Sequence, residues 1–355
     1  MFAEKHYPEM MIPEELDAYL AKGWYRMGQT IFTTHFLCFG RSFYSAIWVR
    51  LPLTDYRFRK SLRKIFNRNR RHFEVTTGAA SINAEKERLY RRYKSSFSGV
   101  LAPTLRDALL DGEDFNIYQT QEVRVYDGDR LIALSYFDLG EHSSASITGI
   151  YDPDYDKYSL GFYTMLEEIR YSQEAGLLYY YPGYVVPGYP RFSYKLRIGE
   201  VEYYSLAHQA WRSYEELSSP QVPIQLMERK LGEMAQYLKH EGVAAELLYY
   251  PLFEANLFGF WHAPYFDYPM FLLCSQRKNK RKFLCVVYDP RSSQYELLVC
   301  ALFDDLQLYF NHSYTASFDK RFNFVELLVV ESSLRSSTEP QEIMELLKAG
   351  LGNQV

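Results

Sequence analysis

Between residues 159 and 176, apolar side chains recur every three or four positions, at Leu160, Tyr163, Leu166 and Ile169. That spacing puts them on one face of a helix, and Gly176 supplies a C-terminal stop. The helix begins near Ser159, after a turn at Asp152-Pro153-Asp154 whose proline fixes φ. The apolar and aromatic run from Leu177 to Tyr181 has instead the content of a buried strand. Pro182, Gly183, Pro187, Gly188 and Pro190 then predict an end to regular structure and a single rigid, shaped loop. A helix N-terminus facing a rigid loop at a strand end is a common way to build a substrate crevice. An ordinary strand connection has the same spacing.

Upstream, Pro13 to Lys22 predicts a short helix, and Gln29 to Phe36 and Ala46 to Leu51 predict strands from their β-branched and aromatic content. Residues 57–97 read as helical and basic, broken by Thr, Gly and Ser around Thr76 to Ile82. Phe115 to Phe137 predicts three strands with a hairpin at Asp127-Gly128-Asp129, and Ser144 to Tyr151 a fourth. Ser218, Ser219, Pro220 and Pro223 mark a boundary within Trp211 to Pro223. Beyond it come a helix from Ile224 to His240, strands near Leu247, Met270, Phe283, Tyr295 and Phe324, and a final helix from Glu339 to Ala349. Gln276 to Lys282 predicts a basic hairpin tip, and Asp289 to Ser293 another turn.

At 355 residues the chain can bury a substantial core in two or three domains. The division expected is residues 1–97, 98–218 and 219–355. The 33 Tyr and 24 Phe are many for this length; packing accounts for most, and some can stack on nucleobases. A net charge of −4 offers no global attraction to nucleic acid, but its distribution is uneven. Arg57 to Lys94 holds 13 Lys/Arg against three acids, a local charge of +10 that leaves −14 elsewhere. Such an asymmetry is the footprint of a nucleic-acid partner held at one face, or else of two solvated helix faces. The cations proposed for it are Arg57, Arg59, Lys60, Arg63, Lys64, Arg68, Arg70, Arg71, Arg91 and Arg92.

No apolar stretch follows Met1, and no uncharged run approaches the roughly 20 residues that span a bilayer, so neither a signal peptide nor a membrane is expected. Cys38, Cys274, Cys285 and Cys300 show no paired spacing, and a cytoplasmic protein with reduced thiols is the simplest expectation.

The segment Tyr151-Asp-Pro-Asp154, Ser159-Leu-Gly161, Gly183-Tyr184, Pro187-Gly188 and Tyr194-Lys195 resembles the C-terminal catalytic region of the arginyl-tRNA–protein transferase family, which includes bacterial leucyl-transferring relatives. Asp127-Gly-Asp-Arg-Leu131 and the apolar run ending in Asp138 resemble that family's preceding hairpin. Gly23-Trp-Tyr-Arg26 with Gly28 resembles its N-terminal segment. Arg57 to Lys64 with Asn69, and Glu87 to Tyr93, resemble its basic central region. The resemblance covers roughly residues 5 to 205.

It implies an α+β fold with an acetyltransferase-like core, a mixed central sheet flanked by helices, and an α+β extension at the C-terminal end. It also implies transfer of Arg or Leu from a charged tRNA to the N-terminal α-amine of proteins beginning with Asp or Glu. The ester is already activated, and alignment with oxyanion donors carries the reaction, so no strong base is required. No cofactor is implied beyond the charged tRNA as co-substrate, and neither DNA nor a membrane is implied as a partner.

Within the resemblance, Tyr184, Tyr194 and Lys195 are the candidate catalytic residues. Lys195, with Arg191, is the candidate cation for an acidic acceptor. Gly161, Ser159, Asp152, Asp138 and Gly183 complete the candidate substrate-binding set. Relatives commonly carry paired N-terminal cysteines tied to metal or iron–sulfur binding. Here the corresponding stretches keep Cys38 alone, so a metal-independent branch is expected. Two other readings stay open: an acyl-CoA-dependent N-acyltransferase, and a non-catalytic RNA-binding relative.

Overall fold

The computed structural model describes residues 1–258, 263–276, 282–303 and 312–352. The chain begins with β1 (Ala3–His6), α1 (Pro13–Leu20), β2 (Tyr25–Met27), β3 (Thr30–Thr34), β4 (Phe36–Phe39) and β5 (Ser42–Ser45). There follow β6 (Ile47–Pro52), α2 (Lys60–Arg70), β7 (Glu74–Ala79), α3 (Ala84–Ser96) and α4 (Leu105–Leu110). Next come β8 (Thr120–Asp127), β9 (Arg130–Leu139), β10 (Ser143–Tyr151), α5 (Leu160–Glu174), β11 (Tyr179–Val185), β12 (Glu202–Ser205) and β13 (Ala210–Ser213). The last third contains α6 (Pro223–His240), β14 (Glu246–Tyr249), α7 (Ala255–Phe258), β15 (Met270–Gln276), β16 (Lys282–Asp289), β17 (Gln294–Leu302), α8 (His312–Ala316), β18 (Leu328–Ser337) and α9 (Pro340–Gly352).

The fold is α+β. A mixed eight-stranded sheet in the order β13-β12-β6-β11-β10-β9-β8-β7 forms its centre, and a five-stranded antiparallel sheet, β14 to β18, lies in the last third. Alternation along β9 sends Leu134 and Tyr136 into a cluster with Leu89 and Tyr90 of α3. Ala133 and Phe137 go into another with Leu160 and Tyr163 of α5. Helices therefore cover both faces of the central sheet. Because β6 and β7 belong to it, that sheet draws strands from both sides of residue 97.

Four local expectations differ from the structure. The break in the basic stretch is a strand, β7, which pairs with β8 from Glu74↔Tyr126 to Ala79↔Gln121. Phe115 to Phe137 yields two strands rather than three, because residues before Thr120 are not laddered. The last strand is Leu328–Ser337, and Phe324 precedes it. Finally, β11 runs on through Pro182 and Gly183 to Val185, where regular structure was expected to stop. Proline is tolerated there because the pairing of β11 with β6 slips between Tyr180 and Gly183, so no ladder position demands its missing N–H. Residues 277–281, in the expected basic hairpin tip, lie outside the described residues.

Candidate active site

β10 and β11 are parallel, yet their ladder registers only Ser143↔Tyr179, Ser144↔Tyr180 and Ala145↔Tyr181. Beyond that level β10 carries a register shift between Ser146 and Thr148 in its pairing with β9, and β11 carries the one at Pro182. Irregularities at the same height on neighbouring strands bend them apart, since a bulge locally increases twist and breaks pairing. The buried phenol of Tyr25 closes the base of the gap, its oxygen within hydrogen-bond reach of the Ser146 carbonyl and 2.7 Å from the Tyr181 carbonyl.

A cavity of about 510 Å³ occupies this splay. Its walls are Tyr93 and Phe97 of α3, Ile147 to Gly149 of β10, Gly161, Met165 and Glu168 of α5, and Arg191, Tyr194 and Lys195 from a 3-10 segment after β11. Gly161 packs closely on the wall: a Cβ there would meet the Tyr151 ring at 3.2 Å.

Lys195 donates to the Tyr184 carbonyl at 3.1 Å and lies 5.4 Å and 5.5 Å from the ring centres of Tyr184 and Phe192. Burial of its ammonium lowers its pKa to about 7. Gly183 has φ +94°, and a Cβ on it would come within 3.0 Å of that ammonium nitrogen. Glycine there satisfies both the backbone and the lysine. Arg191 lies with its guanidinium 4.3 Å from the centre of the Phe97 ring.

Glu168, in the same lining, is 1% exposed. One of its oxygens accepts from the Tyr180 hydroxyl at 2.7 Å, and the other, Oε1, has no hydrogen-bond partner among the described residues. Burial raises this carboxyl to about 7, against the opposing pull of the Ser135, Tyr180 and Ser146 hydroxyls. The charge of Glu168 in turn adds to the burial that raises the Tyr194 phenol. Glu168 was not among the residues singled out from the sequence. Its signal was there: Gly161, Thr164, Glu168 and Ser172 repeat at helical spacing, and of these Thr164, Glu168 and Ser172 are buried polar residues. A small and polar stripe on a helix face turned to the sheet asks for a ligand or a network.

Of the candidate residues, the structure brings Gly161, Arg191, Tyr194 and Lys195 to the cavity, with Gly183 beneath Lys195. Tyr184 stands behind Lys195, packed on Trp48 and Phe192 at 5.2 and 5.3 Å, and does not line the cavity. Ser159 is exposed and serves as the left-handed residue that starts α5, its carbonyl taking the Tyr163 amide at 2.9 Å. Asp138 and Asp152 are away from the lining. Asp138 is fully buried and bonded at one oxygen by Arg26 at 2.9 Å and Thr120 at 2.5 Å. Burial pushes the Asp152 carboxyl up, but Arg92, the Asp154 amide and Arg130 outweigh it and hold it below the ordinary range.

The ten proposed phosphate-facing cations are all exposed. Several already have partners: Arg68 donates to the Tyr158 carbonyl at 2.9 Å, Arg70 lies 3.4 Å from Glu167, and Arg92 binds Asp152 and Asp154 at 2.9 and 2.7 Å. Lys86, counted in the basic stretch, is 1% exposed and paired with Glu122 at 2.5 Å, so it adds nothing to the surface charge. Arg57 and Arg59 line a second hollow of about 480 Å³ with Asp55 and Glu200. The 3-10 turn at residues 153–158 lies between the end of α2 and the middle of α3, since Tyr158 meets Arg68 while Asp152 and Asp154 meet Arg92. The basic surface thus adjoins the cavity through α3, which carries Arg91 and Arg92 outward and Tyr93 to the cavity wall.

Residues 85–205, which span most of this site, match the family described as arginine-tRNA-protein transferase, C terminus. Over those residues the chain is similar to this family of enzymes. Among curated relatives, the aspartate/glutamate leucyltransferase of Leptospira interrogans is 27% identical over 195 residues, 53% of this chain and 74% of that one. Its counterpart in Vibrio cholerae is 27% identical over 207 residues, 58% of this chain and 85% of that one. Among solved structures, FemX aligns at 12% identity over 55% of this chain and 67% of that one, with a TM-score of 0.33. Among the described residues of this chain, no group of three or more His, Cys, Asp or Glu is placed to hold a metal ion. None of its described helices is long and apolar enough to cross a membrane.

Proposed function

We propose that this chain moves leucine from the 3′ ester of a charged tRNA to the N-terminal α-amine of proteins that begin with Asp or Glu. The observation that carries this reading is the composition of the splayed cavity. Arg191 and Lys195, the latter charged in part near pH 7, come from one segment, a single carboxylate lies in α5, and most of the remaining side chains are apolar or aromatic. The cations suit the acidic side chain of the acceptor. Leu101, Ile147, Phe162 and Met165 suit an aliphatic donor side chain. An arginyl donor would call for both oxygens of a carboxylate, and Tyr180 already occupies one oxygen of Glu168. The names of the curated relatives support the same choice.

In the reaction the amine nitrogen forms an amide bond with the ester carbonyl carbon, and the bond from that carbon to the ribose 3′-oxygen breaks. A free α-amine has a pKa of about 7.7–8.0, so part of it is neutral near pH 7. The site therefore has to align two reactants and accommodate the tetrahedral oxyanion. The phosphates of the tRNA would lie on α2 and α3, beside the cavity. The test offers a peptide beginning with Asp, together with leucyl-tRNA or arginyl-tRNA, and weighs the product. A mass gain of one leucine from leucyl-tRNA alone is expected. Gain of arginine instead would overturn the donor assignment, and no gain from either would overturn the reading.

A further inference from the structure

Glu168 has no role in any of the readings drawn from the sequence, yet it is the single carboxylate among the described residues that line the cavity. Its surroundings are unusual for a structural carboxylate. Among the described residues no cation is bonded to it, in contrast to Asp138 with Arg26, Asp152 with Arg92, Glu122 with Lys86 and Glu167 with Arg170. Burying a carboxylate without a cation is unfavourable, so a protein that keeps one in a cavity wall is holding a place for a positive group.

We propose that the free oxygen of Glu168 receives the α-ammonium of the incoming polypeptide and takes its proton before attack. This rests on the transferase reading above. It adds that acceptor recognition is two-sided: Arg191 and Lys195 for the acidic side chain, Glu168 for the terminus itself. An N-terminal Asp or Glu presents those two opposite charges a few bonds apart, and the cavity lining carries their complements on two separate elements, the 3-10 segment and α5. Of the three protons on the ammonium, the first passes to Glu168 and on to solvent. The second ends on the ribose 3′-oxygen as the ester bond breaks, and the third stays on the amide nitrogen. Atoms and charge balance without any further reactant.

The groups facing Glu168 come from every element around it: Ser135 of β9, Ser146 of β10, Tyr180 of β11, Tyr25 of β2 and Tyr194 of the 3-10 segment. All are neutral hydroxyls near pH 7, since the three phenols are raised by burial. A carboxyl raised to about 7 by burial is matched to proton removal from an amine at neutral pH.

The experiment compares binding of two peptides that differ only in the amine, one beginning with Asp and one with a succinyl group in its place. The wild-type protein is expected to prefer the Asp peptide about tenfold at pH 7.5, and E168Q to bind the two within about twofold, with tRNA affinity unchanged. E168D should restore part of the preference. Equal preference in wild type and in folded E168Q overturns the proposal. Should E168Q fail to fold, the wild-type ratio decides: it falls towards one at pH 5.5, where Glu168 is protonated and the amine still charged, and a ratio flat from pH 5.5 to 7.5 overturns the proposal. These ratios come from binding alone, so they are independent of whether leucine is transferred.

Discussion

The Tyr25 hydroxyl lies 2.7 Å from the main-chain oxygen of Tyr181, and the same phenol reaches the Ser146 carbonyl on the strand alongside. One side chain from a short N-terminal strand thus ties together the two strands at the point where their ladder ends. Replacing it with Phe leaves two buried carbonyls without that partner, at a cost of about 1–3 kcal/mol. Y25F should lower the urea midpoint and also reduce turnover per folded molecule, because the splay loses its tie. A variant with wild-type turnover would show that the gap keeps its shape without Tyr25.

Asp138 is read from the structure as a framework residue rather than a substrate contact. Its carboxylate and Arg26 form a buried pair at 2.9 Å, and removing one partner of such a pair costs about 3–5 kcal/mol. D138A should lose stability on that scale in denaturant titration while the acceptor KM of the remaining folded enzyme stays put. A large rise in that KM without loss of stability would return Asp138 to the acceptor site.

Glu168 also sets a pH dependence of stability. Its ordinary pKa of 4.5 is raised to about 7 in the folded protein. Below pH 4.5 both states hold the proton. Between 4.5 and 7 the unfolded chain has released it and the folded one has not, so stability falls as pH rises; above 7 the penalty is constant, on the order of 3 kcal/mol. E168Q lacks this contribution, so its stability relative to wild type should improve from pH 4.5 to 7. Parallel stability curves for the two proteins across that range would contradict the assignment.

Much of the architecture can be read from periodicity. The apolar spacing of α5, the hairpin at Asp127-Gly128-Asp129 and the long helix after Pro223 all lie where their patterns put them. What escaped was decided by tertiary contacts. Glu74 to Ala79 looked like a break because it is an edge strand with little buried surface, and β11 passes through Pro182 because a register slip removes the need for its N–H. Of the cavity residues, Gly161, Tyr194 and Lys195 were proposed through their resemblance to a family pattern, and Arg191 because it follows the shaped loop. Glu168 was hidden inside the run Leu166-Glu-Glu-Ile169, where a glutamate on a helix is ordinarily solvated; here both glutamates are buried.

The exposed cations Arg63 and Lys64 of α2 are among those without a hydrogen bond or ion pair in the described structure, which leaves them open to phosphate. R63E/K64E should weaken tRNA binding and make log affinity less steep against log salt, by about 1–2 in slope. An unchanged slope would move the RNA away from α2.

Lys195 should act on the acceptor alone. K195A is expected to raise the KM for peptides beginning with Asp about tenfold or more and to leave tRNA affinity as it was. Equal losses for Asp peptides and for peptides with a neutral first residue would point to a general packing role beneath Tyr184.

The main-chain amide of Phe2 donates to Asp267, and the Phe2 ring sits 5.0 Å from Tyr268 and 5.1 Å from Phe36, inside the hydrophobic cluster of the five-stranded sheet. The opening strand is therefore clasped by the closing third of the polypeptide. Trimming the protein after α6 would strip the shelter from Phe2 and Phe36 and slacken the strand from which, through β3 and β2, Tyr25 hangs.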